Sequence, residues 1–573
     1  MPPPHSAAAK RVCLHWWTCL LGLFAVLPVL YIAVQVATWT RNIPNWDEFD
    51  TALDLLVALD TSPAPGEVTE RLFAVQNEHR TAVSRMIFAT SYWLGGGINF
   101  IALAILGNLF LAGVFWQLLS GVPDPASRLR LAAIFSLAVF QLQHHESFFW
   151  AGSSIDHFFV VLAAVGALAA LASRHRWSPL LAGSFGFLAT FSLAQGLLVW
   201  PIGALLLCFV RRWRDLLLWL IATAVSVTLF FSGFQINPGH PMPGYADFVR
   251  VVVYWLTLVG SSPALDSLAL APWLGGVIVA AAILVCVRGT RQHEWLPIAA
   301  IVWCLGALGL IAWGRALLST EWAPITSRYV ILSSVACALL AWVLIERLLA
   351  WRPREGGWAF AMTLALLVGF NVAANEAHES AGRVFARHGE RAVEAYHRHG
   401  TFANGETQLY PDPDRADALI RAAQECGVYQ LPRLEKLELA DPEPVVLSAP
   451  AEIADGCYFI EEVKEDAAGL RVRGWAFRPD HIIRAGDISV LFRSGETAIA
   501  FEATPQMRPD VAAAFGRADV THSGFELRLP REQLPPGAFG IGVCFDLDDS
   551  PEYMMTANTV IIPQRPSVSM TSH

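Results

Sequence analysis

Acidic, histidine and arginine side chains are grouped in polar segments that lie between long apolar stretches of this sequence. The first such segment begins with Asp47-Glu48 and ends with Glu78-His79-Arg80. A carboxylate can take a proton from a hydroxyl group as a general base, and a guanidinium group can hold a phosphate through paired hydrogen bonds. These residue types therefore suit a group transfer in which one reactant carries a phosphate.

Two later polar segments repeat the same residue types, at His144-His145-Glu146, Asp156-His157, Arg315, Glu321 and Arg328. Asp156 and Arg328 directly adjoin apolar runs, and ionisable groups near membrane depth tend to face cavities or partners. Asp47 and Glu48 could also hold a divalent cation, Mg²⁺ or Mn²⁺, that neutralises a leaving phosphate. His144-His145-Glu146 is open to two interpretations, a metal site or a polar turn.

Each group also has a purely structural interpretation. Asp47 and Glu48 could be solvated loop acids, and Glu78-His79-Arg80 could be a surface ion-pair cluster. Arg328 could anchor a helix at the membrane interface or pair with Asp156. The functional interpretation is favoured because acids, imidazoles and arginines are all expected on one face, whereas the alternate loops carry little except arginine.

The composition is that of a membrane protein. Of the 573 residues, 54% are hydrophobic and 16% are charged, whereas soluble proteins carry about a quarter charged residues. No block of basic residues indicates a nucleic-acid partner. The composition therefore predicts a polytopic α-helical protein surrounded by membrane lipids.

About eleven apolar segments are predicted to cross the membrane. They are Leu14–Trp39, Gly97–Leu119, Leu131–Leu142, Phe158–Ala172, Leu180–Leu193, Gly196–Val210, Leu216–Phe231, Ala271–Val287, Trp295–Trp313, Tyr329–Leu344 and Trp358–Val372. Several are shorter than the roughly 20 residues that a span needs, so polar ends would have to extend them. A further run, Val251–Val259, is predicted to lie in the interface instead.

Arginine pairs set the predicted orientation. With the N-terminus in the cytoplasm, every inner loop carries at least two arginines, as the positive-inside rule requires: Arg128 and Arg130, Arg174 and Arg176, Arg211, Arg212 and Arg214, Arg288 and Arg291, Arg352 and Arg354. The acid- and histidine-bearing loops then lie outside. An odd number of spans also places the C-terminal part outside.

The sequence predicts three regions. Residues 1–375 form the membrane region, which includes an external loop at 40–95, and residues 376–450 form a helical, proline-rich linker with helices at Ala381–His399 and Asp414–Cys426. Residues 451–565 alternate in short runs with turn residues, which is typical of a small β-sandwich. Two of Cys426, Cys457 and Cys544 could form a disulfide if this part is extracytoplasmic.

A family resemblance accompanies these patterns. The paired acids in Asp47-Glu48-Phe49, the stretch Asn77-Glu78-His79-Arg80 and the stretch Ser327-Arg328-Tyr329 resemble bacterial members of the GT-C superfamily of integral-membrane glycosyltransferases. The resemblance covers about residues 10–375. It implies a multi-span fold, a polyprenyl-phosphate-linked sugar as donor, and Asp47 as the general base or metal-site acid with Glu48 in support.

The predicted function is transfer of a sugar from a polyprenyl phosphate to an envelope glycan, lipid or protein at the bacterial inner membrane. The predicted catalytic residues are Asp47, Glu48, Glu78 and His79, and the predicted substrate-binding residues are Arg80, His144, His145, Asp156, His157, Arg315 and Arg328. Two alternatives stay open. One is a transporter or flippase of lipid-linked saccharides, and the other is a non-enzymatic envelope assembly protein.

Overall fold

The computed structural model describes the chain except for residues 1–4, 61–63, 236–242, 289–293, 318–325, 403–408, 433–444, 448–450, 454–455, 467–468, 480–486, 496, 531–532, 546–551 and 563–573. Glu321, one of the loop acids noted above, lies outside the described residues. The chain divides into two compact units, residues 1–382 with 396–432 and residues 383–395 with 433–573.

The first unit is helical. Its helices are α1 (His5–Trp39), α2 (Leu55–Asp60), α3 (Pro65–Leu72), α4 (Ala82–Gly95), α5 (Phe100–Ser120), α6 (Pro125–Val139), α7 (His145–Phe149), α8 (Ala151–Ala172), α9 (Ser178–Thr190), α10 (Val199–Phe209), α11 (Trp213–Phe231), α12 (Phe248–Ala264), α13 (Ala271–Val287), α14 (Trp295–Arg315), α15 (Ser327–Trp351), α16 (Pro353–Ala377), α17 (Ala381–His399), which runs on into the second unit, and α18 (Pro413–Glu425). A π-helical segment, Phe49–Asp54, precedes α2.

Seven of the described helices are long and apolar enough to cross a membrane: α1, α5, α8, α11, α14, α15 and α16. The prediction of a polytopic membrane protein is confirmed, but the count of eleven spans is wrong. The other predicted segments form shorter helices, such as Ser178–Thr190 and Ala271–Val287. A helix rises 1.5 Å per residue, so about 13–17 residues reach only ~20–25 Å across a hydrocarbon core of about 30 Å.

The long helices hold the polar residues of interest at one end of the bundle. The N-termini of α5, α8 and α15 and the C-terminus of α14 lie at this end. Three of the arginine pairs lie at the other end, beyond the C-termini of α5, α8 and α15: Arg128 and Arg130, Arg174 and Arg176, and Arg352 and Arg354. Side chains that are far apart in sequence can therefore meet at one level of the bundle.

The second unit is a sheet domain with a helical part of α17 and a short helix, α19 (Pro509–Phe515). Its strands are β1 (Val445–Val446), β2 (Ala451–Glu452), β3 (Cys457–Asp466), β4 (Gly469–Phe477), β5 (Ile488–Ser494), β6 (Thr497–Glu502), β7 (Thr504–Gln506), β8 (Gly524–Leu529), β9 (Gly537–Phe545) and β10 (Glu552–Ile562). They form a six-stranded sheet, β1-β6-β5-β9-β10-β2, and a four-stranded sheet, β3-β4-β8-β7.

Residues of both sheets share one hydrophobic core, which includes Phe492, Phe501, Phe525 and Val543. The alternating runs predicted from the sequence are strands, so the prediction of a C-terminal β domain is confirmed. The predicted disulfide is not formed, because Cys426, Cys457 and Cys544 are all free thiols. Cys544 is buried among apolar neighbours, which is the usual place of an inert thiol.

Candidate functional site

The segment after α1 presents Asp47 through an unusual backbone turn. Trp46 adopts a left-handed conformation with φ of 45°, which is costly for a bulky residue. The carbonyl of Asp47 accepts hydrogen bonds from the backbone N–H and hydroxyl group of Thr51. The Asp47 carboxylate is open to the cavity described below, where Gln76 Nε2 lies 3.4 Å from Oδ1.

The environment of Asp47 makes its carboxylate a stronger proton acceptor than an ordinary aspartate. Loss of solvent around the carboxylate raises its pKa above the ordinary aspartate value, and the positive charges of Arg328 and Arg315 oppose this rise. A carboxylate with a raised pKa is a stronger base than an ordinary aspartate. The side chain is therefore suited to take a proton from a hydroxyl group.

Glu48 points away from the cavity and fastens the turn to α8. Its Oε1 accepts the N–H of Gly152 at 2.6 Å and its Oε2 accepts the N–H of Asn45 at 2.6 Å. The residue is 1% exposed, and burial raises its pKa to about 8. The structure thus places Glu48 behind the wall rather than beside Asp47, which differs from the expected catalytic pair.

Glu48 makes stability depend on pH in a defined direction. An acid with a raised folded-state pKa holds its proton in the folded protein after the unfolded chain has lost it. Its stabilising contribution is therefore present below about pH 4.5 and is lost as the pH rises towards about 8. We expect Glu48→Gln to lower the melting temperature most at about pH 5, with a deficit that shrinks by about pH 8.5, measured by thermal unfolding in detergent micelles. A deficit that grows with pH would contradict this.

A tight turn brings Glu78 and His79 to the same cavity. Gln76 and His79 exchange two backbone hydrogen bonds of 2.9 Å, and Asn77 takes the left-handed conformation that asparagine tolerates. His79 Nδ1 accepts the N–H of Ala194 at 3.1 Å. Burial lowers the pKa of His79 to about 4, so the neutral ring carries its proton on Nε2.

Arg315, at the end of α14, meets this turn. Its Nη2 lies 2.7 Å from Glu78 Oε1, and His79 Nε2 lies 3.8 Å from the same oxygen. The predicted convergence of the first polar segment with the segment after α14 is therefore present in the structure. The negative charge of Glu78 offsets part of the positive charge of Arg315.

Arg328, the second residue of α15, supplies another cation to the cavity. Its guanidinium carbon lies 5.7 Å from the centre of the Trp150 ring and 5.4 Å from that of Tyr329. Its ion pair with Glu146 is long, with Nη1 at 3.7 Å from Oε2. The aromatic rings and this ion pair hold the guanidinium group at the cavity wall, where its positive charge can attract an anion.

The first turns of α8 form the opposite wall. Asp156 and His157 line the cavity together with Gly152 and Ser153. The His157 Nδ1 lies 3.1 Å from the carbonyl oxygen of Ser153, so Nδ1 carries the proton and Nε2 is an acceptor. Glu48 accepts the N–H of Gly152 in the first turn of α8, so Glu48 links the two walls.

Besides Glu48, three of the predicted site residues do not line the cavity. Arg80 donates to the backbone carbonyl groups of Phe73, Phe230 and Ser232 and does not line the cavity. His144 is fully buried beside Gln141, and His145 contacts the Leu142 carbonyl group. Burial lowers the pKa of His144 to about 3 and that of His145 to about 4. Arg80 and His145 thus contact backbone carbonyl groups, whereas His144 contacts the Gln141 side chain, and none of the three lines the cavity.

The cavity has a volume of about 140 Å³, whereas one water needs roughly 10–15 Å³. Leu193, Ala194, Leu310 and Ile311 form an apolar part of the wall. Within the part of the chain that the structure describes, four buried atoms on the wall lack a hydrogen-bond partner: Thr81 Oγ1, Trp150 Nε1, Asp156 Oδ1 and Gln195 Oε1. Buried polar atoms are normally paired with protein or ordered water, so these four atoms can form hydrogen bonds with water or with a polar ligand in the cavity.

The expected divalent-cation site is not formed by the residues that were predicted to hold it. Both oxygens of the Glu48 carboxylate accept backbone N–H groups, so Asp47 and Glu48 do not converge. Among the described residues, no group of three or more His, Cys, Asp or Glu side chains is arranged to hold a metal ion. We therefore assign no step to a metal.

Sequence reasoning missed several residues of the wall. Gln76 approaches Asp47, Trp150 packs against Arg328, and Gln195 carries an unpaired oxygen. Gln76 and Trp150 each lie next to a predicted site segment, which is the signal that could have found them. Gln195 lies in a short uncharged turn, and no sequence feature there indicated a site residue.

Comparison with protein-family models, with curated proteins and with solved structures finds no match to this chain.

Proposed function

We propose that this chain is a glycosyltransferase that moves a sugar from a polyprenyl phosphate to a hydroxyl group of an envelope glycan, lipid or protein. The observation that carries the proposal is the single cavity in which Asp47 lies with two guanidinium groups, those of Arg315 and Arg328. The GT-C resemblance supports the same activity. The unpaired polar atoms of the wall suit the hydroxyl groups of a sugar.

The distribution of arginine supports an extracytoplasmic cavity. The cavity lies where α8 and α15 begin and where α14 ends, whereas three of the arginine pairs lie at the opposite helix ends. From the positive-inside rule we infer that the arginine end faces the cytoplasm and that the cavity faces outward. Helix α16 runs from the arginine end towards the cavity end, so the C-terminal sheet domain follows outside the bacterial inner membrane.

The proposed reaction is a direct displacement at the anomeric carbon. The acceptor oxygen bonds to this carbon while the bond from the carbon to the phosphate oxygen breaks, and the acceptor proton passes to the Asp47 carboxylate. The polyprenyl phosphate leaves with the bonding electron pair. Arg328 and Arg315 stabilise the negative charge that collects on the phosphate, and the stereochemistry of the sugar carbon is inverted.

A transfer assay on the full-length protein in vesicles tests the proposal. Polyprenyl phosphate that carries a radiolabelled hexose is supplied with an envelope extract as acceptor. Label on the acceptor together with free polyprenyl phosphate is the expected result. Label that crosses the bilayer while it is still attached to the lipid would establish the flippase alternative, and intact, unmoved donor would favour the assembly protein. Both of these outcomes contradict the proposal.

A further inference from the structure

The polar stretch after the last membrane helix contacts the segment that carries Asp47. Residues 396–432 belong to the first compact unit, although the sequence predicts them as part of a linker. Within this stretch, we call residues 409–429 the clamp. The Trp46 N–H donates to the carbonyl of Leu409 at 2.7 Å, and the Tyr410 ring packs on Phe49 with ring centres 5.3 Å apart.

The central contact of the clamp is made to Asp50. Its Oδ2 accepts the hydroxyl group of Tyr410 at 2.8 Å. Its Oδ1 accepts Arg415 Nε at 3.1 Å and Nη2 at 2.6 Å. Arg415 lies in the first turn of α18. A charge-assisted contact therefore joins this helix to Asp50, which lies in the π-helical segment three residues after Asp47.

A second contact holds the start of the same loop. The hydroxyl group of Tyr429 donates to the carbonyl of Asn42 at 2.6 Å, and the Ile98 N–H donates to the carbonyl of Val428 at 2.9 Å. The Phe100 N–H donates to Asn42 Oδ1 at 2.8 Å. The clamp therefore holds the chain on both sides of Asp47 and ties it to the start of α5.

The backbone between these contacts is strained. A left-handed tryptophan costs about 1–3 kcal/mol and persists only where the surrounding structure enforces it. Leu409 accepts the N–H of Trp46 itself, and Glu48 accepts the N–H of Asn45, the residue before it, so these two bonds provide this enforcement. Without the clamp, the turn is expected to relax and to move the Asp47 carboxylate out of the cavity.

We propose that the clamp is part of the catalytic unit, and that Asp50, Tyr410 and Arg415 are positioning residues for Asp47. The proposal rests on the proposed function, because positioning matters only if Asp47 reacts. A displacement of about 1 Å at a reacting group can lower a rate by up to ~100-fold. The region that looks like a linker would thus set the rate of chemistry without touching the substrate.

The test uses Arg415→Met, Asp50→Asn and their double variant in the full-length protein in lipid nanodiscs. Tyr410→Phe is a milder variant, since it removes one hydroxyl group, and Arg415→Lys restores the charge. The exposed Arg421→Met on the same helix is the matched control. Amide hydrogen exchange of residues 45–54 is measured without substrate, and kcat and donor KM are measured with it.

The expected result is exchange that is about tenfold faster in residues 45–54, with kcat lower by ~10- to 100-fold and donor KM unchanged. Arg415→Lys should recover part of the rate, and the double variant should be no worse than the poorer single variant, because the pair acts as a unit. If hydrogen exchange in residues 45–54 of the variants is as slow as in Arg421→Met, the clamp does not hold the loop and the proposal is wrong. Faster exchange with unchanged kcat overturns the positioning role.

Failure of the proposed function gives a different pattern. If the unaltered protein shows no transfer, the proposed enzyme activity is wrong, and the positioning role of the clamp is wrong with it. Hydrogen exchange in residues 45–54 then still decides whether the clamp holds the loop. The two claims are therefore separated by the substrate-free measurement.

Discussion

Asp47→Asn should lower the rate of sugar transfer by about 10²–10⁴-fold while the protein inserts and unfolds as before. Asparagine keeps the shape of the side chain and its contact with Gln76 but cannot accept the acceptor's proton. The rate of the unaltered protein should fall as the pH falls through the raised pKa of Asp47, because only the carboxylate is a base. The residual rate of Asp47→Asn should not show this decrease at low pH.

The matched control for this variant is Glu67→Gln, which changes a carboxylate in the same polar segment. Glu67 is half exposed, pairs with Arg71 in α3 and does not line the cavity. Its replacement should leave transfer unchanged within about twofold, since surface ion pairs contribute little. More than about a tenth of the activity in Asp47→Asn would remove Asp47 as the base. Asp156, another carboxylate on the wall, would then be the side chain to replace.

The convergence of Asp47, Glu78, Asp156, Arg315 and Arg328 was predictable from the order of apolar and polar segments. Alternating spans return every second loop to the same end of a bundle, so residues in those loops share a level whatever the helix packing. The order of apolar and polar segments can be read directly from the sequence, without knowledge of how the helices pack. The β domain was predictable for a similar reason, because strand alternation is local.

The number of spans and the roles of several polar residues were not predictable. Runs such as Leu180–Leu193 are apolar enough to be predicted as membrane spans. The helix that forms there ends at Thr190 and has only 13 residues. Arg80 and Arg328 look alike in sequence, yet Arg80 binds carbonyl groups of Phe230 and Ser232 that lie 150 residues or more away. Such hydrogen-bond partners depend on how the helices are rotated and packed, which a local sequence pattern does not indicate.

The clamp was missed because its sequence has the features of a linker. Prolines and polar residues around it are typical of a flexible connection. However, Leu409 and Tyr429 are each 2% exposed and pack on the first unit. A single buried tyrosine in a polar stretch carries no sign of its partner, so the contact with Asn42 could only be found in the structure.

Arg328→Met should lower transfer by about 10²–10³-fold, which is the usual cost of losing a donor to charge that develops in a transition state. Arg315 cannot replace it fully, because Glu78 already accepts one of its N–H groups at 2.7 Å. Arg328→Lys should recover only part of the rate, since lysine keeps the charge but loses the planar pair of donors. Competitive inhibition by free polyprenyl phosphate should weaken in parallel, because the same contact holds the product.

Arg176→Met is the matched control, since Arg176 also lies over a tryptophan ring, at 5.4 Å from Trp177, but is exposed at the opposite end of the bundle. It should leave both the rate and the inhibition unchanged. The inhibition constant separates the possible causes of a slow Arg328→Met variant. A slow variant that binds free polyprenyl phosphate as tightly as the unaltered protein would place the phosphate elsewhere. The guanidinium group would then act only by holding Trp150 at the cavity wall, and Arg315 would remain as the cation for the leaving group.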